Sequence, residues 1–325
     1  MADEGFAAPW LEFEEEFGQR PLLHGPLDNI FSGWAAIGGV LVSKYTFPPP
    51  DPSVKTYDRT IDGPGGPLKL RVYTPDGYTP SSKPVGLYMH GGGWAIGDLD
   101  MEDGDCRRIA KGIDVVIVAV DYRLTPKHKF PAQNEDCFAA YRWVLGNAES
   151  LGGVQGKVFA IGASAGGGLA LGTALRAVDE GLGESLVGVV AQMPVAVHPG
   201  AAPEHLRSDY TSYDENAEMT VNTKSAMAAF WDALDAPPDD KYTSPLLHDK
   251  LGRVKKVYIT GGTMDTLRDD ARLLKRVLDE SGVPNKFNEY EGYPHYFWTF
   301  PSKTLDEPRN EYFENLLKGV GFVLS

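Results

Sequence analysis

The sequence has few cysteines and lacks the residue spacings that are typical of metal sites. Cys106 and Cys137 are the only cysteines among 325 residues, so a disulfide framework is not expected. The seven histidines are scattered, and neither an HExxH nor a CxxC motif occurs. We therefore expect no metal and no cofactor, so any catalysis would depend on the side chains of the chain itself.

Positive charge and long apolar runs are also scarce. The chain has 31 basic and 45 acidic side chains, a net charge of −14, which makes nucleic acid a poor candidate partner. The longest apolar stretches, such as 115–120, are far shorter than the roughly 20 residues of a membrane-spanning helix, so no membrane span is expected. The N-terminal run Met1-Ala2-Asp3-Glu4 is acidic, with no apolar region behind it, and predicts no secretory signal and a cytoplasmic location.

Most of the chain alternates between short apolar runs and helical periods, which predicts an α/β fold. The expected architecture is a mostly parallel eight-stranded central sheet with helices on both faces. The segment 115–120 is apolar at every position, as a doubly covered strand must be. The predicted strands are 56–61, 68–73, 85–89, 115–120, 157–161, 186–192, 257–260 and 286–290, and the predicted helices are 133–145, 165–180, 269–281 and 308–319.

Two segments do not fit this alternation. In residues 1–52, aromatic residues recur at helical spacing (Trp10, Phe13 and Phe17), and a second helix is expected around Trp34. The other segment, 194–244, is expected to be a mostly helical insertion, and we predict that it covers the catalytic edge of the sheet. The catalytic domain would then consist of 53–193 and 245–325. Packing in the core explains those aromatic side chains at least as well as contact with a substrate does.

A candidate nucleophile follows the predicted strand 157–161. The chain continues as Gly-Ala-Ser-Ala-Gly at 162–166 and then into an Ala/Leu-rich helical segment. A strand, a sharp turn and a helix are what a GxSxG nucleophile elbow requires. Small flanking residues allow the turn, so the hydroxyl of Ser164 would project at the end of the strand. The alternative is a glycine-rich helix start that packs closely against the sheet.

A second glycine-rich run, His-Gly-Gly-Gly-Trp at 90–94, follows the predicted strand 85–89. Backbone N–H groups in such a run can approach a ligand oxygen and stabilise the charge of a tetrahedral intermediate. We assign this oxyanion hole to the N–H groups of Gly91, Gly92 and Ala165. A phosphate loop is the competing interpretation, but its motifs are absent here. His90 is expected to order the loop rather than act as a base.

Chain order indicates the remaining catalytic groups, because α/β hydrolases place an acid and then a histidine after the serine. Asp265 lies in the loop after the predicted strand 257–260, and His295 is the only histidine that follows it. Both loops are expected at the same edge of the sheet as Ser164. Asp269 and Asp270 are explained by a favourable position at a helix N-terminus. His198, His205 and His248 lie in or beside the insertion, where packing or exposure is the default.

Five motifs in this order resemble the hormone-sensitive lipase family of esterases, and the similarity spans about residues 55–325. They are HGGGW (90–94), DYRL (121–124), GASAGG (162–167), DTLRD (265–269) and HYF (295–297). The resemblance implies an α/β hydrolase with a helical cap built from 1–52 and 194–244. The chain is also similar to intracellular esterases of the versiconal hemiacetal acetate esterase type. Four residues depart from the frequent family pattern, and Tyr296 in particular could narrow the pocket; the other three are Lys127, Ala163 and Thr266.

The expected function is hydrolysis of short- to medium-chain esters of small molecules through an acyl-enzyme. Ser164 would attack, His295 would accept its proton and Asp265 would orient the imidazole. The alternatives are a non-catalytic small-molecule receptor, disfavoured because His295 is present, and an amidase or dehydratase on the same fold. Retention of Ser164 disfavours the dehydratase. The sequence leaves a homodimer open.

Overall fold

The computed structural model of the protein describes residues 5–80, 83–219 and 221–325. The N-terminal run 1–4, which bore on the secretory signal, lies outside these residues. Among the described helices, none combines the length and the apolar character that crossing a bilayer demands.

The centre of the molecule is an eight-stranded sheet, as predicted. The strands are β1 (Val54–Gly63), β2 (Gly66–Pro75), β3 (Val85–Met89), β4 (Ile117–Asp121), β5 (Val158–Ala163), β6 (Leu186–Gln192), β7 (Val257–Gly262) and β8 (Asn285–Tyr290). Their spatial order is β1-β2-β4-β3-β5-β6-β7-β8. β2 is antiparallel to both of its neighbours, β1 and β4, whereas all later neighbours are parallel.

Nine α-helices lie in the described residues. They are α1 (Ala8–Phe17), α2 (Leu27–Lys44), α3 (Asp103–Ile113), α4 (Ala132–Asn147), α5 (Ala165–Asp179), α6 (Ser212–Glu215), α7 (Lys224–Leu234), α8 (Arg268–Glu280) and α9 (Asp306–Leu324). α3 and α9 contact each other and pack on β2, β6 and β7, whereas α4 and α5 contact each other and pack on β3, β5 and β6. Every residue of β3, β5 and β7 is buried, which explains their continuous apolar sequences.

The predicted elements agree with the structure except in two places. α3 was not predicted, because its sequence is rich in Asp and Gly, which are poor helix formers. The segment 194–244 is less regular than expected: in its described part, 194–219 and 221–244, α7 is the one α-helix longer than two turns. Several short 3-10 turns take the place of further helix.

The N-terminal segment and the insertion after β6 are joined directly. The backbone N–H of Leu23 donates to the carbonyl of Val221 at 2.8 Å, and the hydroxyl of Thr223 donates to the carbonyl of Leu23 at 2.6 Å. α2 also contacts α7. These contacts bring together the two segments that do not fit the strand–helix alternation.

Candidate active site

Ser164 lies in a sharp turn between β5 and α5. Its backbone has φ 55° and ψ −123°, a conformation that L-residues adopt only under constraint. Gly162 and Gly166 make the turn sterically feasible. A Cβ at Gly162 would lie 2.2 Å from the carbonyl oxygen of Gly166, and one at Gly166 would lie 2.1 Å from that of Met89. The glycines of the motif therefore permit the close approach of strand and helix.

His295 and Asp265 form a buried pair. Nδ1 of His295 lies 2.6 Å from Oδ2 of Asp265, and the exposed fractions of the two residues are 4% and 0%. Asp265 is oriented in turn, because its Oδ1 accepts a hydrogen bond from the backbone N–H of Leu267 at 2.9 Å. This arrangement keeps the Nδ1 proton of the imidazole on the side of the carboxylate.

Ser164 and His295 line the same pocket, which contains about 740 Å³ of space and is partly open to solvent. No Lys, Arg, Asp or Glu of the described residues lines it, and most of its wall is apolar. Both segments outside the alternating pattern contribute side chains. Residues 1–52 supply Leu23, Trp34, Ile37 and Leu41, and the insertion supplies Val195, Val221, Asn222, Met227 and Phe230.

The glycine run after β3 borders this pocket, but not through all the residues predicted. Gly92 and Gly93 line the pocket with Ser164. The N–H of Gly91 instead donates to Oε1 of the buried side chain of Glu102 at 3.1 Å. The assignment of Gly91 as an oxyanion donor is therefore wrong in this structure, because a carboxylate already takes its hydrogen. Ala165 begins α5, where backbone N–H groups have no intrahelical acceptor.

Comparison with known proteins places the chain in a family. A sequence profile described as the alpha/beta hydrolase fold matches residues 86–299. The chain is 46% identical to a versiconal hemiacetal acetate esterase of Aspergillus parasiticus, over 97% of this chain and 98% of the relative. The chain belongs to the α/β-hydrolase family, in its hormone-sensitive lipase-like group. It is an esterase.

Two solved structures resemble this esterase over most of its length. A hyperthermophilic esterase from the archaeon Pyrobaculum calidifontis is 32% identical, with a TM-score of 0.74, over 83% of this chain and 87% of that one. A structure titled vibralactone cyclase has a TM-score of 0.86 and 26% identity, over 99% of this chain and 96% of that one.

His90 of the esterase orders the glycine loop, as expected. Its ring stacks on that of Tyr122 with centroids 4.2 Å apart, and its Nδ1 lies 2.8 Å from the carbonyl oxygen of Gly91. The hydroxyl of Tyr122 donates back to the carbonyl of His90 at 2.8 Å. Burial lowers the pKa of His90 to about 4, so the ring is neutral at pH 7 and donates through Nδ1–H.

Asp269 and Asp270 do more than favour the start of α8. Oδ2 of Asp269 accepts from the N–H groups of Thr211 and Ser212. Oδ1 of Asp270 accepts from those of Ala196 and Val197. These side chains therefore attach the segment after β6 to the start of α8.

The three histidines in or beside the segment 194–244 do not line the pocket. His248 lies 3.2 Å from Asp179, and Nδ1 of His198 accepts from the N–H of Gly200 at 3.0 Å. His205 is exposed. Their default interpretation as packing or surface residues agrees with these positions.

Glu102 was missed at the sequence level. It carries no motif, and the acidic residues around it read as an exposed, charged run. In the fold it is 6% exposed, and it accepts a hydrogen bond from the hydroxyl of Tyr296 at 2.6 Å. The one available signal was Tyr296 itself, a departure from the family pattern directly after His295.

Proposed function

We propose that this esterase hydrolyses neutral carboxylic esters of small molecules through an acyl-enzyme, with Ser164 as nucleophile, His295 as base and Asp265 as the partner of the base. One observation carries the proposal: the strained turn at Ser164 and the buried pair of His295 and Asp265 meet at one apolar pocket. A nucleophile, an oriented base and a water-poor site are the parts that acyl transfer needs.

In the proposed reaction the hydroxyl of Ser164 attacks the ester carbonyl while His295 takes its proton. Asp265 stabilises the imidazolium that results. The tetrahedral oxyanion accepts hydrogen bonds from the N–H groups of Gly92, Gly93 and Ala165, each worth about 3 kcal/mol if removed. His295 then protonates the leaving alcohol, and a water activated by the same imidazole releases the acid and regenerates Ser164.

The two segments 1–52 and 194–244 serve in this proposal as a two-part cap. Both contribute apolar side chains to the pocket, and Leu23 and Thr223 link them by hydrogen bonds. A pocket enclosed in this way supports an ester of bounded size. Short to medium acyl chains fit such a pocket, whereas the surface of a lipid aggregate does not.

The chemistry of the pocket wall supports a neutral substrate. No charged side chain of the described residues faces the ester, and the net charge of −14 disfavours the approach of anions. The name of the Aspergillus relative specifies an acetate ester, which is consistent with a short acyl group. An amidase would use the same groups, so amide and ester substrates must be compared directly.

The experiment is the hydrolysis of nitrophenyl acetate, butyrate, octanoate and palmitate, with the matching acetanilide as the amide. Wild type, Ser164→Ala and the exposed-serine control Ser150→Ala are compared, and labelling by a fluorophosphonate is followed by intact mass. We expect Ser164→Ala to lose both labelling and at least about 10⁴-fold in kcat, while Ser150→Ala behaves as wild type.

Each part of the proposal has its own contrary result. Labelling that persists in Ser164→Ala would refute the nucleophile. A folded wild type that neither labels nor turns over would favour a receptor. Full activity on palmitate emulsions would refute the restriction to short and medium chains, and an amide rate equal to the ester rate would make the chain an amidase as well.

A further inference from the structure

We infer that Glu102 and Tyr296 are a positioning pair, which fixes the position of the oxyanion loop, at Gly92 and Gly93, relative to His295. The inference rests on the proposed function, because it concerns the geometry of that reaction. Neither residue needs to touch the reacting atoms through its polar group, and neither belongs to the proposed triad. Their role would be to fix the distance between two loops that carry different parts of the machinery.

A single oxygen atom joins three separate parts of the chain. Oε1 of Glu102 accepts from the N–H of Gly91 at 3.1 Å and from the hydroxyl of Tyr296 at 2.6 Å. Gly91 directly precedes the two glycines that line the pocket, and Tyr296 directly follows His295. Movement of either loop by about 1 Å would break one of these hydrogen bonds.

Tyr296 is itself held rigidly. Its backbone is left-handed, with φ 60° and ψ 21°. Its ring stacks on Trp298 with centroids 4.9 Å apart, and Trp298 stacks on Tyr312 of α9 with centroids 4.0 Å apart. The hydroxyl therefore occupies a defined position at the end of a column of aromatic rings that begins on the scaffold.

The fit between Tyr296 and the glycine loop is close. A Cβ at Gly91 would lie 1.9 Å from the hydroxyl oxygen of Tyr296, so residue 91 must be a glycine when residue 296 is a tyrosine. The ring of Tyr296 also lines the pocket. The loop and the tyrosine thus form one complementary unit beside the place where the oxyanion develops.

Burial of the Glu102 carboxyl lowers the stability of the fold, which argues against an incidental role for this side chain. Removal from water raises the pKa of this carboxyl to about 7, because a charge in an apolar environment is destabilised. An apolar side chain at position 102 would fill the space without that cost. What it would not supply is an acceptor for the N–H of Gly91 and the hydroxyl of Tyr296.

Three variants test the pair. Tyr296→Phe removes the donor but keeps the ring, Glu102→Leu removes the acceptor, and Glu102→Gln keeps an amide oxygen that can accept. Tyr293→Phe, in the same loop and outside the pocket lining, controls for loss of a hydroxyl. Steady-state kcat and KM for nitrophenyl butyrate are measured with the melting temperature of each variant.

We expect Tyr296→Phe and Glu102→Leu each to lower kcat by about 10- to 100-fold, as small misplacement of catalytic groups does, with KM within about twofold. Glu102→Gln should recover most of kcat. The double variant Glu102→Leu/Tyr296→Phe should be no slower than the worse single variant, because both remove the same contact. Should Glu102→Leu fail to fold, Tyr296→Phe and Glu102→Gln decide the question.

Other outcomes overturn the inference. A rise in KM alone would show that Tyr296 acts only by contacting the substrate. A fall in melting temperature with kcat unchanged would show that the pair only stabilises the fold. Labelling of Ser164 in the wild type separates this result from failure of the proposed function. If wild type labels at Ser164 and Tyr296→Phe keeps its kcat, the positioning role is refuted while the acyl-enzyme mechanism stands.

Discussion

Oδ2 of Asp265 lies 2.6 Å from Nδ1 of His295, although the two residues come from loops that are separated by a helix and a strand. Both side chains are buried, so water competes little for either partner. The pair can therefore set the tautomer of the imidazole, and its removal should be felt in the chemical step rather than in substrate binding.

We expect Asp265→Asn to lower kcat by about 10⁴-fold, because the amide can stabilise the wrong tautomer of His295 and cannot stabilise the imidazolium. The measurement is nitrophenyl butyrate hydrolysis, with near-UV circular dichroism to check folding. Asp279→Asn changes a carboxyl that is not part of the site and should leave kcat unaltered. A loss smaller than tenfold for Asp265→Asn would refute its role.

The space around two glycines predicts opposite effects of alanine on the stability of the protein. Gly166→Ala places a methyl group 2.1 Å from a backbone oxygen, and we expect it to destabilise the fold by about 3 kcal/mol or more. Gly38→Ala, inside α2 with nothing within 4 Å, should be neutral or stabilise by up to about 1 kcal/mol. Urea unfolding of both variants measures the difference, and equal effects would contradict the steric argument.

His90 predicts a pH effect on stability. Its pKa is about 4 in the fold and about 6.5 when unfolded, so the unfolded chain binds the extra proton between these values. Stability from this residue is present above pH 6.5 and is lost as the pH falls towards 4.

We therefore expect the difference in free energy of unfolding between wild type and His90→Asn to decrease by about 2 kcal/mol from pH 7.5 to pH 5. Urea unfolding at the two pH values measures it. His205→Asn, at an exposed position, is the matched control. A constant difference for His90→Asn would mean that the imidazole is not held neutral by burial.

The link between the two parts of the proposed cap is testable at Thr223. Its hydroxyl donates to the carbonyl of Leu23 and accepts from the N–H of Ala226 at the start of α7. Thr223→Val should cost about 1 to 2 kcal/mol and should increase hydrogen exchange around residues 21–26. Thr60→Val, exposed on β1, is the matched control. Unchanged exchange would show that the two segments are held together by other contacts.

The sheet and the positions of Ser164, Asp265 and His295 were predictable because each depends on local sequence. Apolar runs mark buried strands, and residues at the carboxyl ends of parallel strands meet at one edge. The irregular turns of 194–244 were not predictable, since they are fixed by contacts such as those of Asp269 and Asp270 with backbone N–H groups. No periodic pattern encodes such contacts.

The error at Gly91 has a similar cause. Three consecutive glycines offer three N–H groups, and nothing in their sequence says which one meets a carboxylate from a different segment. Glu102 is eleven residues away and its neighbours are acidic, so it looked like an exposed residue. Only the folded chain shows that Glu102 accepts from Gly91 and leaves Gly92 and Gly93 at the pocket.

The first helix bears on how the chain can be shortened or fused. Trp10 and Phe13 pack on Phe300, with ring centroids 5.5 and 4.8 Å apart, and the N–H of Ala7 donates to the carbonyl of Gly292 at 3.0 Å. Both partners flank the loop that carries His295. Removal of the segment up to Phe17 would thus uncover aromatic surface beside the loop that carries the imidazole, so we expect a protein shortened or fused within this helix to lose turnover.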